Sequence, residues 1–333
     1  MIEPRFPIVA AASLSALLAA TAPTRANDST AVIGVGGLTL VKSDAIVMQS
    51  EDLFISEKQV NVDYVFLNTS TADIEALVAF PLPDVVYTPE ARIPEFLAEL
   101  NFATSVDGAP LQYEIVTSAW LNGKDITARL AAVGLPALAD WENFEKATNA
   151  KSRAELKALV AEGLLGNEGD DANPYWLAKW VTKTTVTRRQ VFPAGRPIRV
   201  SHSYTPLAGG SVGSLLSPAY RNNKDFAADV RATRAKYCID DAFLRGLDGV
   251  MKGMKDKLAP EVWLSYVLIS GANWKGPIGS FRLVIDKGEP KNMVSFCAPG
   301  LDVRKIAPTR FEITARDFTP KKDLDILIVR EPQ

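Results

Sequence analysis

The chain holds one histidine, His202, so every imidazole-dependent reaction open to it must pass through that residue. Nucleophilic serine catalysis wants a hydroxyl on a sharp strand-to-helix elbow, typically Gly-x-Ser-x-Gly, with a histidine downstream. Gly209-Gly210-Ser211-Val212-Gly213 spells that string. His202 precedes Ser211 instead of following it, and a Gly/Ser loop matches five small positions readily, so Ser211 reads as a loop residue. His202 alternates with Ile198, Val200 and Tyr204 on one apolar strand face, where an imidazole serves as a hydrogen-bonded core group. One histidine excludes a multi-histidine metal site, and two cysteines cannot build a zinc ribbon or a four-cysteine cluster. The Gly209 loop lacks the Lys-Ser/Thr ending of a P-loop, and Gly34-Val35-Gly36-Gly37 lacks the third glycine of a dinucleotide fingerprint. No cofactor, no metal and no catalytic residue is expected.

Paired carboxylates could act as glycosidase acid and base or ligate calcium. Glu51-Asp52, Asp170-Asp171 and Asp240-Asp241 are the neighbours that qualify by type. Sequence neighbours on a strand point to opposite faces, which separates the first pair. Asp240 reads as a helix N-cap, and Asp170-Asp171 lies in a polar loop without EF-hand ligand order.

Aromatic residues offer the better binding candidates. Trp120, Trp176 and Trp180, with Tyr175, fall in or beside one stretch, as does Trp141. Buried tryptophans at a helix–sheet junction are ordinary core, because each removes a large apolar area from water. The sharper alternative is a groove that stacks a sugar ring or grips an apolar ligand. Trp120, Tyr175, Trp176 and Trp180 are therefore the expected ligand-binding set.

These residues must be positioned by elements that the pattern of the chain supplies. Met1–Ala26 reads as a cleavable export leader: Arg5, an apolar run Phe6–Ala20, then Thr24 and Ala26 at the −3 and −1 places of a cut before Asn27. The run is too short for the roughly 20 residues of a spanning helix. Loss of Glu3, Arg5 and Arg25 with it moves the formal charge from −2 to −3. Neither value suggests a nucleic-acid partner, and no later stretch reads as a membrane span. A periplasmic location follows as the expectation. In that oxidising setting Cys238 and Cys297 read as a disulfide. Closing a loop of about 60 residues would contribute on the order of 4 kcal/mol in the chain-entropy account.

Residues 27–210 read as a β-sandwich domain and 211–333 as a helix followed by a second β-rich part. Val60, Val62, Tyr64 and Phe66 alternate with polar positions, as do Ile74, Ala76, Val78 and Phe80 beyond Asn68-Thr69-Ser70-Thr71, which predicts an antiparallel hairpin. Further strands are expected at Leu100–Ser105 and Gln112–Thr117, around an Asp107-Gly108 turn. A helical insertion spans about 120–178, with Ser152-Arg153-Ala154-Glu155 as a capping box. Strands return at Trp180–Phe192 and Ile198–Tyr204. A helix is expected over Asp240–Lys257, with Gly246, Gly249 and Gly253 offering a face for close approach of another backbone. Short strands separated by turn clusters fill the C-terminal part. The fold class is mainly β (α+β): an antiparallel β-sandwich with a helical insertion.

One resemblance covers the whole chain beyond the leader. Asn27-Asp28-Ser29-Thr30, Ser50-Glu51-Asp52-Leu53-Phe54-Ile55-Ser56, Ala79-Phe80-Pro81-Leu82-Pro83-Asp84, Phe192-Pro193-Ala194-Gly195, His202-Ser203-Tyr204-Thr205-Pro206 and Tyr237-Cys238 occur in that order. This pattern resembles the exported bacterial proteins grouped as domain of unknown function 4424. The resemblance implies a periplasmic location and supplies no activity, cofactor or catalytic residue. A shorter likeness links the segment ending in Phe80-Pro81-Leu82-Pro83 to the β-rich modules of inter-α-trypsin inhibitor heavy chains, which would fit an adhesive role. The expected function is a non-catalytic envelope binding or interaction module whose partner is an envelope protein or glycan. The competing readings are a glycan or cell-wall hydrolase and a carrier of a small apolar or sugar ligand.

Overall fold

Strands with one apolar face need a second layer to cover it, and this chain supplies three sheets that cover one another. The computed structural model describes residues 27–34, 37–86, 99–138, 141–170, 172–252 and 258–331. The leader expected at 1–26, Gly253 and Asp171 lie outside the described residues. The first sheet runs Lys124–Asp125, Glu114–Leu121, Val181–Phe192, Ile74–Pro81, Ser29–Gly34, Gly37–Val41, with Val85–Val86 also on Val181–Phe192. The second runs Val303–Lys305, Arg310–Phe318, Ile278–Asp286, Ile46–Ser56, Val60–Asn68, Pro197–Tyr204, Ala103–Val106, Ala109–Pro110. The third runs Gly209–Ser211, Glu261–Tyr266, Leu324–Val329, Met293–Phe296. The mainly β, sandwich-like class is as the sequence predicts. Ile46–Ser56 pairs in parallel with Ile278–Asp286, so the two β-rich stretches of the chain share a sheet.

The predicted hairpin is not one. Val60–Asn68 belongs to the second sheet, between Ile46–Ser56 and Pro197–Tyr204. Ile74–Pro81 belongs to the first, between Val181–Phe192 and Ser29–Gly34. The connection is an arch from one layer to the other. Asn68 holds it: its Nδ2 donates to the Ala72 and Phe192 carbonyls at 2.8 and 2.9 Å, and its Oδ1 accepts from the Ser70 N–H at 2.9 Å. Alternation fixes which side chains face inward but not which strand lies alongside. The same correction applies further on. The Asp107-Gly108 turn forms with φ of 50° and 82°, yet it joins Ala103–Val106 to the short Ala109–Pro110. The chain then crosses to the first sheet as Glu114–Leu121.

A single apolar core is common to the three sheets, with Phe66, Phe80, Phe192, Tyr204, Tyr266, Trp274 and Phe281 as its large members. Phe80 of the first sheet lies 5.1 Å from the His202 ring of the second and 6.3 Å from the Tyr266 ring of the third. The three sheets therefore meet around these rings. Ile46–Ser56 carries a bulge at Met48–Ser50 that shifts its phase, so that Ile46 and Met48, then Glu51, Leu53 and Ile55, face inward. Gly279 makes room for it, since a Cβ there would stand 2.8 Å from the Gln49 carbonyl oxygen.

Between Leu121 and Val181 the chain builds its own small core from Leu130, Leu135, Phe144, Leu156, Leu159, Leu165 and Trp180. Helices Thr127–Ala132, Trp141–Asn149 and Arg153–Ala161 and the hairpin Leu165–Asn167/Trp176–Ala178 surround it. The capping box at Ser152 and Glu155 forms as predicted. On the other side of the molecule, Ala227–Tyr237 and Asp241–Met251 pack on the third sheet. That sheet is buried on both faces: Ile326 and Ile328 enter the main core, while Leu327 and Val329 meet Tyr237 and Leu247. Asp240 caps its helix by accepting from the Phe243 N–H at 2.7 Å. The described part of the expected glycine face does not receive a backbone: Gly246 faces the Met293 side chain and Gly249 open space. Cys238 and Cys297 are bonded, their Cα atoms 5.1 Å apart. Among the described residues no helix is long and apolar enough to cross a membrane.

Candidate functional site

Two groups of polar side chains stand out, one open and one sealed. The open one belongs to the insertion. The capping box starts the Arg153–Ala161 helix, whose buried stripe of Leu156 and Leu159 leaves Arg153, Lys157 and Val160 on an outer face. Opposite them, Asn167 pairs in register with Trp176 across the short hairpin. Arg153, Lys157, Val160, Asn167, Pro174 and Trp176 line an open cavity of about 170 Å³. Asn167 shapes its rim, because its Oδ1 accepts from the Gly169 and Tyr175 N–H groups at 3.0 and 2.8 Å. Gly169 is required there, since a Cβ would meet the Asn173 carbonyl oxygen at 2.0 Å. Asp170 accepts from the Ala172 and Asn173 N–H groups at 2.8 and 2.7 Å. Those bonds, with the nearby Arg153 charge, hold its carboxyl below the usual range.

Of the four aromatic residues expected to bind ligand, Trp180 lies in the insertion core with Tyr175 and Trp176 packed against it, and Trp120 sits apart from that cluster. Trp176 lines this cavity, with half-buried Tyr175 beside it in the chain. Trp180 lies in the insertion core at 1% exposure, its indole N–H donating to the Ala137 carbonyl at 3.0 Å and its ring edge-on to Phe144. Trp120 sits on the first sheet, donating to Ser118 Oγ at 2.9 Å with the Lys183 ammonium 5.6 Å from its ring. Arg153 and Lys157, the cavity's charged wall, were missed by sequence reasoning. Their i, i+4 spacing on the polar face opposite Leu156 and Leu159 is the signal that could have found them.

The sealed group lies where the three sheets meet. Asp28 has no exposed surface, and Arg188 grips it with two bonds, of 3.0 and 2.5 Å. His202 Nε2 lies 3.2 Å from Asp28 Oδ2, while its Nδ1 is buried without a partner among the described residues. Trp274 donates its indole N–H to the Asp28 carbonyl, and Ser270 donates to the Asn27 carbonyl at 2.8 Å. Asn27 Nδ2 donates to Glu51 Oε2 at 3.0 Å, and Tyr64, itself 3.0 Å from the Tyr266 hydroxyl, donates to Asn27 Oδ1. Burial would raise the Asp28 carboxyl, but Arg188 and His202 hold it well below the carboxylate range. Glu51 has no such partner: burial pushes it up to about 8, and the Asp28 charge adds to the rise. Burial lowers the His202 imidazole against the pull of Asp28. His202 is thus the hydrogen-bonded core residue that its strand face predicted.

A family model described as a domain of unknown function, DUF4424, matches residues 26–327. The chain belongs to that family. None of the curated proteins compared with it matches. Among solved structures, it is similar to a candidate nutrient-binding protein from Legionella pneumophila at 14% identity and a TM-score of 0.40, over 91% of this chain and 70% of that one. It is also similar to an M1 zinc metallopeptidase from Deinococcus radiodurans at 9% identity and a TM-score of 0.27, over 87% of this chain. The chain spans only 43% of the metallopeptidase's length. At these scores neither likeness bears on fold or function.

Chemically, the two sites of this DUF4424 chain differ in what they can reach. His202 and Asp28 resemble a base and its orienting acid, but Nδ1 is buried and makes no hydrogen bond to a hydroxyl among the described residues. Ser211 is elsewhere, on an edge strand of the third sheet, where its Oγ donates to the Gly213 carbonyl at 2.9 Å. Glu51 is buried and Asp52 exposed, as alternation requires. Burial raises two half-buried carboxylates, Asp84 and Asp323, the latter to about 6 with a contribution from the Asp84 charge. Each has a structural partner: Lys183 at 3.0 Å for Asp84, and the Ile269 N–H at 3.1 Å for Asp323. The cavity at Trp176 instead offers an indole wall, two cationic side chains and an amide to an outside molecule.

Proposed function

We propose that this chain is an exported, non-catalytic binding module that engages an acidic sugar ring of the cell envelope at the Trp176 cavity. The observation that carries the reading is the lining itself. An indole gives a flat apolar surface for a ring face, and Arg153 and Lys157, one turn apart, give cationic donors for a carboxylate or phosphate on its edge. Asn167 adds amide hydrogen bonds, and Val160 and Pro174 close the floor. The volume is below the roughly 300 Å³ of an ordinary small-molecule pocket, which suits one ring of a longer chain. Asp170, beside Arg153, offsets part of that positive charge, so an acidic ligand must compete with it.

Export rests on the leader pattern of residues 1–26 and on the Cys238–Cys297 bond, which suits an oxidising compartment. Titration of the exported protein with a hexuronic acid and its short oligomers, followed by calorimetry, tests the binding reading. Saturable heat with the acidic sugar, lost in Arg153→Ala/Lys157→Ala, supports it. An equal response to glucose, or unchanged binding by the double variant, overturns it. Recovery in the osmotic-shock fraction, with Asn27 as first residue, tests the compartment.

A further inference from the structure

Asn27, Asp28 and Ser29 have no exposed surface, although they open the described chain. Every polar atom of Asn27's side chain is committed, to Glu51 on one side and to Tyr64 on the other. Its carbonyl accepts from Ser270. Among the described residues Glu51 Oε1 is buried with no hydrogen-bond partner, as are Arg188 Nε and His202 Nδ1, and of these three Glu51 Oε1 is the carboxylate oxygen. Arg188, the cation of this centre, is already spent on both oxygens of Asp28. Burying a lone carboxylate is costly unless a cation joins it.

Resting on the reading of residues 1–26 as a removed leader, we propose that cleavage between Ala26 and Asn27 frees an α-ammonium that pairs with the Glu51 carboxylate and completes the core. The amine belongs to the same residue whose side-chain amide lies 3.0 Å from Glu51 Oε2, so it is tethered beside the Glu51 carboxylate. The bookkeeping closes. Hydrolysis adds the hydroxyl of water to the Ala26 carbonyl carbon and its hydrogen to the Asn27 nitrogen. The new amine then takes a proton from the Glu51 carboxyl, leaving ammonium and carboxylate and no change in the net charge of the centre. The neutral acid that burial imposes on Glu51 is thereby replaced by an ion pair. Because the bond to be cut adjoins a residue with no exposed surface, cleavage must precede closure of the three sheets.

Mass spectrometry of the exported protein first fixes its N-terminus. An uncut chain, or a cut elsewhere, overturns both this inference and the leader reading; a cut at Asn27 leaves the pairing to be tested alone. Thermal unfolding is then compared for the exported protein and a version that keeps Ala26 as its first residue, each with Glu51 or Glu51→Gln. The chain starting at Asn27 is expected to melt roughly 5 °C or more above the Ala26 version, and Glu51→Gln is expected to erase that gap. Equal melting temperatures, or a gap that survives Glu51→Gln, overturn the pairing. Should Glu51→Gln fail to fold, acylation of the α-amine in the unsubstituted protein decides. Protection in the native state and ready reaction in denaturant support the pairing; equal rates in both overturn it.

Discussion

The junction of the three sheets and the Trp176 cavity are built from the same kinds of side chain, a guanidinium, an amide and aromatic rings, with opposite consequences. At the junction Arg188 is 3% exposed and both its terminal nitrogens are bound to Asp28. In the cavity Arg153 stands at the surface, one turn from Lys157, with a half-buried indole facing them. Low effective dielectric makes the first pairing strong and its disruption expensive. High dielectric makes the second set cheap to maintain. The difference teaches that the chemically strongest group in this protein, the Asp28–Arg188–His202 cluster, holds the fold together, while the weaker set is the one an outside molecule can reach.

The comparison breaks most visibly at Arg188. Arg188→Met leaves Asp28 buried with only a neutral imidazole beside it, and is expected to cost about 3–5 kcal/mol in denaturant unfolding. The double variant Asp28→Asn/Arg188→Met should recover a good part of that loss, because no charge is then stranded. If both variants unfold alike, the pair is not what stabilises the junction. The tryptophans give the next contrast. Trp180→Ala empties the insertion core and should cost about 3–5 kcal/mol. Trp176→Ala removes a half-buried surface residue and should cost about 1 kcal/mol. Similar losses for the two would mean that Trp176 is core as well.

Much of this contrast was legible in the chain, and its failures have physical reasons. The strand face of Ile198, Val200, His202 and Tyr204 follows from alternation alone, and all four are buried. Alternation also places Thr182, Thr184, Val186, Arg188, Gln190 and Phe192 on one face, all buried, so a guanidinium among them was a signal for an internal ion pair. Its partner could not be read, since Asp28 lies 160 residues away, just before the Ser29–Gly34 strand. The arch at Asn68 resembled a hairpin because period-two patterns carry no information on which layer the next strand joins. The Ala227–Tyr237 helix escaped notice because it buries only Val230 and Tyr237 and leaves its other positions polar. At the cavity, the tryptophans drew attention by type. Trp180 lies past the end of the Trp176–Ala178 strand and packs edge-on to Phe144 inside the insertion core, whereas Trp176 touches that core and lines the cavity.

Glu51 sharpens the comparison through pH. Its carboxyl stands at about 8 in the fold against an ordinary value of 4.5, so the folded chain holds a proton that the unfolded chain has lost. A group raised in this way contributes stability at low pH that is lost as pH rises through its folded value. Asp28 and His202, both lowered, act in the opposite sense, but only below the ordinary imidazole range. Between pH 6.5 and 8 the Glu51 effect therefore stands clear. A chain that keeps Ala26 should lose roughly 1.5 kcal/mol across that window, and Glu51→Gln should flatten the profile. A flat profile in the unsubstituted Ala26 chain would mean that water or another cation reaches the junction.

The smallest expected effect is the most telling for the cavity. Arg153 and Lys157 stand at the surface, so replacing both by alanine should change unfolding free energy by no more than about 0.5 kcal/mol. Their neighbours Leu156 and Leu159 keep the helix docked, and the Ser152–Glu155 capping box keeps its start. Arg153 also helps to hold Asp170 ionised, so one structural trace of the change should be a rise in the Asp170 carboxyl, followed by NMR. That rise should remain small, because the Ala172 and Asn173 N–H groups still donate to it. A loss of several kcal/mol would show that the two cations hold the insertion together, and the cavity would then resemble the junction after all.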